Sequence, residues 1–388
     1  MIDTIVLTLQ PEQFAISDHN RFSPSTAGLF QTPYYTLGRN GFIKCVQNPT
    51  SEELERRIYK PRLTVTRRMG IHGFNTTLRI EFSIPKLMFG NNFDEVSEGH
   101  FDEVVNKLYE SLYNMGVVVA PHFLREAPVS AVHYSKNIVL TDYSIPYNIL
   151  KELSKINLTQ KLDLNQTDFR NEGHSLRFRA NSFEISLYDK RKDLQKAKTS
   201  EKRAIEKDNA IQLELFDEFK VKRPFEVLRM EIRLGKRAKI REILKTLNMQ
   251  AFMTFSELFK ENIARQVLLF YLEQIKNGYA LLAYHPKNKG QLISDIKMLN
   301  PKIKIRKMLQ ICATKLIIDD IGIREFREVT KHFGAYSWNR LNNDLLCCKF
   351  PDQSFAPIKV IQQSITDLKP LRLKDFEEKH VDFIKPMQ

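Results

Sequence analysis

Leu228-Arg229-Met230-Glu231-Ile232 repeats, nearly unchanged, an earlier phrase of the same chain, Leu78-Arg79-Ile80-Glu81-Phe82. Between the copies stands a third strand-like stretch, Phe183-Glu184-Ile185-Ser186-Leu187-Tyr188-Asp189-Lys190. Successive side chains on a strand point to opposite faces. The first copy therefore turns Leu78, Ile80 and Phe82 one way and Arg79 and Glu81 the other. The second buries Leu228, Met230 and Ile232 and presents Arg229, Glu231 and Arg233. The third buries Phe183, Ile185 and Leu187 and presents Glu184, Ser186 and Tyr188. If these strands are neighbours, carboxylates, a phenol and several cations share one face, a combination suited to phosphodiester chemistry. The copies lie too far apart for a solenoid repeat, and they suggest an internally duplicated sheet.

Strand signals concentrate before about residue 235 and helical spacing after it. Residues 1–60 read as short strands between polar turns, and 60–68 as a basic strand. Gly70 and Gly73 bracket a turn, and Gly90-Asn91-Asn92 is another. Val104, Val105, Leu108, Leu112 and Met115 form a helical stripe over 101–115. Region 129–140 holds one or two short strands, chiefly 129–134. A short helix is expected at 147–156. Gly173 opens a hairpin that turns at Ala180-Asn181-Ser182. The charged run 190–208 reads as a solvated helix or loop. Helices are expected at 240–247, 255–275, 290–299, 303–317 and 323–333. Pro351, Pro357, Pro370 and Pro386 give the end of the chain an extended look. The predicted fold class is α+β: an antiparallel sheet with helices over 1–235, a helical part over 236–349, and an extended tail over 350–388.

The chain has 388 residues, 42% of them hydrophobic, which argues against disorder for most of it. Lys and Arg number 60 against 46 Asp and Glu, a formal charge of +14. That excess suits a polyanionic partner. No stretch approaches the roughly 18 apolar residues of a membrane span, and the first residues lack the pattern of a secretory signal. Cys45, Cys312, Cys347 and Cys348 form no C-x-x-C pair, which fits a reducing, cytoplasmic setting rather than a disulfide framework or structural zinc.

Tyr188 is the candidate nucleophile. A phenol that attacks phosphorus keeps the bond energy in a phosphotyrosine ester, so the cut strand can be rejoined. Its free pKa is near 10, so it needs help from Lys190, two residues on, or from a metal ion. Glu81 and Glu231 are candidate metal ligands, since Mg²⁺ and Mn²⁺ prefer carboxylate oxygen. His133 can bind metal or relay a proton, although no His-x-His pair accompanies it. Basic runs at 190–207, 233–241 and 302–307 can neutralise phosphates. Arg79, Lys136, Arg233, Lys236 and Arg237 are the candidate DNA contacts. No G-x-x-x-x-G-K-[ST] loop is present, so this chain is not expected to be an ATP-driven motor.

These phrases resemble the phage and plasmid replication proteins of the filamentous-phage gene II/X family. The resemblance runs through Met1-Ile2-Asp3-Thr4-Ile5, Ile43-Lys44-Cys45-Val46-Gln47-Asn48-Pro49 and Lys86-Leu87-Met88-Phe89-Gly90-Asn91-Asn92. It continues through Leu187-Tyr188-Asp189-Lys190 and Leu228-Arg229-Met230-Glu231, covering most of the chain to about residue 280. Tyr188-Asp189-Lys190 also looks like the nucleophile strand of rolling-circle plasmid initiators, whose sheet resembles that of relaxases. The resemblance implies a rolling-circle replication initiator that nicks and rejoins origin DNA. Tyr188 would attack, and Glu81 and Glu231, with His133, would hold Mg²⁺ or Mn²⁺. Lys190 and Arg229 would offset developing charge. His133 stands where the plasmid pattern would carry an acid. The helical half would read duplex origin DNA or recruit a host or phage helicase. The rival expectation is a non-catalytic initiator that binds and melts the origin, and Tyr134 is the next nucleophile in line.

Overall fold

The computed structural model describes residues 1–29, 42–50, 52–53, 56, 58–70, 73–140, 144–156, 158, 168–170, 172–193, 226–250, 252–351 and 356–373. Eleven strands occur among them: β1 (Ile2–Leu9), β2 (Ala15–Ile16), β3 (Phe42–Gln47), β4 (Arg62–Gly70), β5 (Gly73–Ser83), β6 (Val117–Val118), β7 (Val129–Leu140), β8 (Asp168–Arg170), β9 (Ser175–Arg179), β10 (Phe183–Asp189) and β11 (Glu226–Leu234). Nine of them form one sheet in the order β3-β4-β5-β1-β7-β11-β10-β9-β8. Every pairing in it is antiparallel.

The order is doubled about its middle. Outward from the β1–β7 seam, one half runs β1-β5-β4-β3 and the other β7-β11-β10-β9, with β8 added at its edge. Each half starts with its first strand, sets its last strand beside it, and then steps backward along the chain. The two Leu-Arg-x-Glu phrases lie on β5 and β11, the matching second strands of the halves. Glu81 pairs with Val6 and Arg62, and Glu231 with Ser135 and Ser186.

Alternation divides the sheet into two faces. Ile5, Leu7, Ile80, Phe82, Val132, Tyr134, Ile185, Leu187, Met230 and Ile232 are buried on the apolar face. Helices Phe101–Asn114, Arg237–Thr246, Phe255–Leu258 and Glu261–Ala283 supply the packing partners, and their apolar residues join the same core. The Phe255 ring meets Phe82 edge-on at 6.0 Å, and Tyr271 lies 5.2 Å from Phe183. The change from strands to helices near residue 235 therefore marks a change of element within a continuous core. The polar face carries Glu81, His133, Ser135, Arg229, Glu231, Arg233, Glu184, Ser186 and Tyr188.

Several elements differ from the sequence expectations. β7 is one twelve-residue strand rather than a short one ending at Tyr134. Polar residues in its second half find buried partners: the backbone N–H of Asn137 donates to Glu95 Oε1 at 2.7 Å, and its side chain donates to Phe93 O at 2.7 Å. The helices expected at 303–317 and 323–333 merge into Ile305–Thr330, broken at Gly322. There φ is +84°, and a Cβ would lie 3.0 Å from the Lys155 Cβ, so only glycine fits without strain. The tail is extended only in part. Ala356–Asp367 is a helix, because Ile358, Ile361 and Ile365 recur at helical spacing and are buried. Beyond it the backbone of Leu371 pairs with Glu95, whose N–H donates to Leu371 O at 3.0 Å. Most of the charged run after Lys190, and the turn at 71–72, lie outside the described residues. No helix among the described residues is long and apolar enough to cross a membrane.

Candidate active site on the polar face

The centre of the polar face is built from three strands in register. Tyr188 stands opposite Arg229, and Ser186 opposite Glu231. On the other side of β11, Ser135 stands opposite Glu231 and His133 opposite Arg233. Cross-strand neighbours lie about 5 Å apart, so the alternation read from sequence brings Tyr188, Glu231 and His133 together. The Tyr188 hydroxyl donates to Glu231 Oε2 at 3.2 Å, and His133 Nδ1 lies 3.5 Å from Glu231 Oε1.

A fourth group, Asp3, was not among the expected site residues. On β1, Ile5, Leu7 and Leu9 face the core, and strict alternation would turn Asp3 the same way. The pairing with β7 slips instead: Ile2 stands opposite Tyr134 and Thr4 opposite His133. Asp3 is the extra residue of a β-bulge, which re-aims its side chain to the polar face. There Asp3, His133 and Glu231 each offer a ligand atom within 4.8 Å of the other two. An aspartate at a core-facing position of an apolar strand was the one available signal.

Charge in the site is tightly balanced. Arg229 donates to Asp3 Oδ1, to Ser135 Oγ at 2.9 Å and to Asn92 O at 2.7 Å. Burial would raise the Asp3 carboxyl, but Arg229, with Lys190 and His133 adding to it, holds the group below its usual range. Burial acts on Glu231 in the same sense. Arg233 reverses it, donating through Nε to Oε1 at 2.8 Å and through a terminal nitrogen to Oε2 at 3.1 Å. Glu231 is thus held well below the usual carboxylate range. Burial lowers the His133 pKa, against the pull of Glu231, so the imidazole is neutral and its lone pair available. Burial raises the Tyr188 phenol well above 10, with Arg229 opposing. Lys190 is fully buried; its ammonium donates to Asn92 Oδ1 at 2.9 Å, and burial, reinforced by Arg229, pushes it down to about 7.

The donor set suits a hard divalent cation: two carboxylates and one neutral imidazole. Arg233 already spans both Glu231 oxygens, so a cation would compete with a guanidinium for that carboxylate.

The other expected site residues are scattered. Glu81 shares the polar face but lies on β5, beyond β1, and pairs with Arg79 at 3.1 Å. It is outside the Asp3–His133–Glu231 group. Lys136 points to the other face, because it is three residues from His133, and it is buried there against Glu95 and the Lys369 carbonyl. It cannot reach a phosphate backbone. Tyr134 is likewise on the core face. Its hydroxyl donates to Leu258 O at 3.0 Å, and burial raises its pKa far above that of a free phenol, so it is no alternative nucleophile. Arg79 is half-exposed, and Lys236 and Arg237 are exposed at the start of helix Arg237–Thr246.

No family model matches the chain, and no curated protein matches it. The solved structure of a rolling circle replication initiator protein from Geobacillus stearothermophilus aligns with 71% of this chain and 84% of its own. Identity is 10% and the TM-score 0.28.

Proposed function

We propose that this chain is a rolling-circle DNA replication initiator of the gene II/X type, which nicks and rejoins origin DNA through a phosphotyrosine at Tyr188. The observation that carries the reading is the Tyr188 hydroxyl donating to Glu231, a carboxylate of the Asp3–His133–Glu231 group. Glu231 is ionised; it accepts the hydrogen bond of the Tyr188 hydroxyl and orients the phenol, whose proton passes to solvent as the bond to phosphorus forms. The Tyr188 oxygen attacks phosphorus, the P–O3′ bond breaks, and the 3′ oxygen leaves as a hydroxyl with a proton from solvent. A 5′-phosphotyrosine results, and attack by a 3′-hydroxyl reverses the step. Arg229, fixed by three acceptors, and Lys190 oppose the negative charge that develops on the phenol and phosphate. Mg²⁺ or Mn²⁺ would be held by Asp3, His133 and Glu231, and when bound it polarises the scissile phosphate as a Lewis acid. Glu81 lies beyond that group as an outer charge. Arg79, Arg233, Lys236 and Arg237 contact the DNA backbone, and a host or phage helicase supplies sustained unwinding.

A supercoiled plasmid bearing the cognate origin tests the reading. A nick that needs Mg²⁺ or Mn²⁺ and leaves protein attached to the 5′ end supports it. Tight binding with no nick would favour an initiator that melts DNA without cutting.

A further inference from the structure

We infer that a groove at the end of the sheet is a docking strip for single-stranded DNA, with Phe252 as a base-stacking platform. The inference rests on the reading of the chain as a DNA-processing protein and adds a second contact surface to it. The groove encloses about 610 Å³ between helix Arg237–Thr246 and the segment ending at Thr254. Arg237, Arg241 and Lys245 line it, at successive four-residue steps on the helix, and all three are exposed. Successive members of such a row lie about 6 Å apart along the axis, on the scale of the phosphate repeat of an extended strand. None of the lining residues is acidic. The nearest acid on the helix, Glu242, is engaged by Lys239 at 2.8 Å. Lys236, at the N-cap of this helix, makes no side-chain cap, so the leading amides add to the positive field.

The opposite wall carries Phe252, which is 80% exposed. What sets this exposed ring apart is its place in a groove whose charged lining residues are all cations. Its backbone is not loose. The Val129 N–H donates to Met253 O at 2.9 Å, and the Phe255 N–H donates to Ala127 O at 3.0 Å, which ties the wall to the start of β7. An exposed aromatic opposite a cation row suits a strand whose bases are free to stack, as those of a duplex are not. The same end of the sheet carries Arg233 and His133, so a strand in the groove leads toward the polar face.

The test uses the full chain, with fluorescence anisotropy on a labelled oligothymidylate and on a short duplex across a salt series. The wild type should prefer the single strand. The double variant Arg241→Gln/Lys245→Gln should weaken binding and lower the salt slope by about 1.4, two contacts at about 0.7 each. Phe252→Ala should weaken binding by about 5- to 150-fold with the slope unchanged, and Phe252→Trp should restore it. All three substituted residues are exposed, so melting curves should match the wild type. Unchanged affinity in both variants, equal preference for duplex, or equally strong competition by polyglutamate would overturn the inference. Origin nicking alongside unchanged affinity in the variants would sink the groove and leave the proposed chemistry standing. Single-strand binding through the groove with no nick under any metal would do the reverse.

Discussion

β5 and β11 carry nearly the same five residues and live in opposite surroundings. The Glu231 side chain is 2% exposed and Glu81 38%; Arg229 is 2% exposed and Arg79 50%. Opposite Arg79 stand Thr8 and Thr64, while opposite Arg229 stand Asn137 and Tyr188. The doubled topology makes Thr64 the counterpart of Tyr188 and Thr4 the counterpart of His133. One half of the sheet thus holds a phenol and an imidazole where the other holds two threonines. The bulge at Asp3 then lends an acid from the plain half to the reactive one. A repeated phrase specifies a face and a pairing; what the phrase can do is decided by the strands beside it.

The largest break in that comparison should come from the paired glutamates. Glu231→Ala should slow origin nicking by about 10³-fold or more, while Glu81→Ala stays within about threefold; equal losses would mean the two acids act together. Stability should separate the arginines. Arg229→Ala strands Asp3 in a buried site and should cost about 3–5 kcal/mol, read from the urea midpoint, against about 0.5 kcal/mol or less for Arg79→Ala. Metal binding sharpens the role of the bulge. Asp3→Asn should weaken Mn²⁺ binding by about 10- to 100-fold in calorimetry, whereas Arg233→Gln should tighten it by freeing Glu231. No change in Asp3→Asn would remove Asp3 from the ligand set.

The smallest effect concerns Lys190. Its pKa falls from 10.5 to about 7 on folding, so between those values the unfolded chain binds more protons than the folded one. Stability contributed by this group therefore rises with pH across that window and is at its lowest below 7. Lys190→Met should flatten the slope and raise the melting temperature at pH 7 by several degrees, while slowing nicking. A steeper slope in the variant would contradict the burial argument.

Much of this arrangement was legible in the residues. Alternation alone placed Arg229, Glu231 and Arg233 on one face, and Tyr188 with Ser186 and Glu184 on another strand's matching face. The same alternation, applied along β7, separates His133 from Lys136 and Tyr134, and it could have excluded both. Strand order was not legible. Nothing local says that β11 sits beside β10 and β7 while β5 sits beside β4 and β1, and Glu81 looked equivalent to Glu231 for that reason. Asp3 was hidden more deeply, since a bulge is a property of pairing between β1 and β7, and its only trace in the sequence is an acid at a core-facing position of β1. The helix Ala356–Asp367 was masked by its flanking prolines, although Ile358, Ile361 and Ile365 carried its spacing.

The most direct measurement is mass spectrometry of the peptide left on origin DNA after nicking and protease digestion. The account predicts a 5′-phosphate ester on the peptide containing Tyr188, and no adduct from Tyr188→Phe. A modified peptide that maps to another tyrosine, or an adduct that survives Tyr188→Phe, would contradict it.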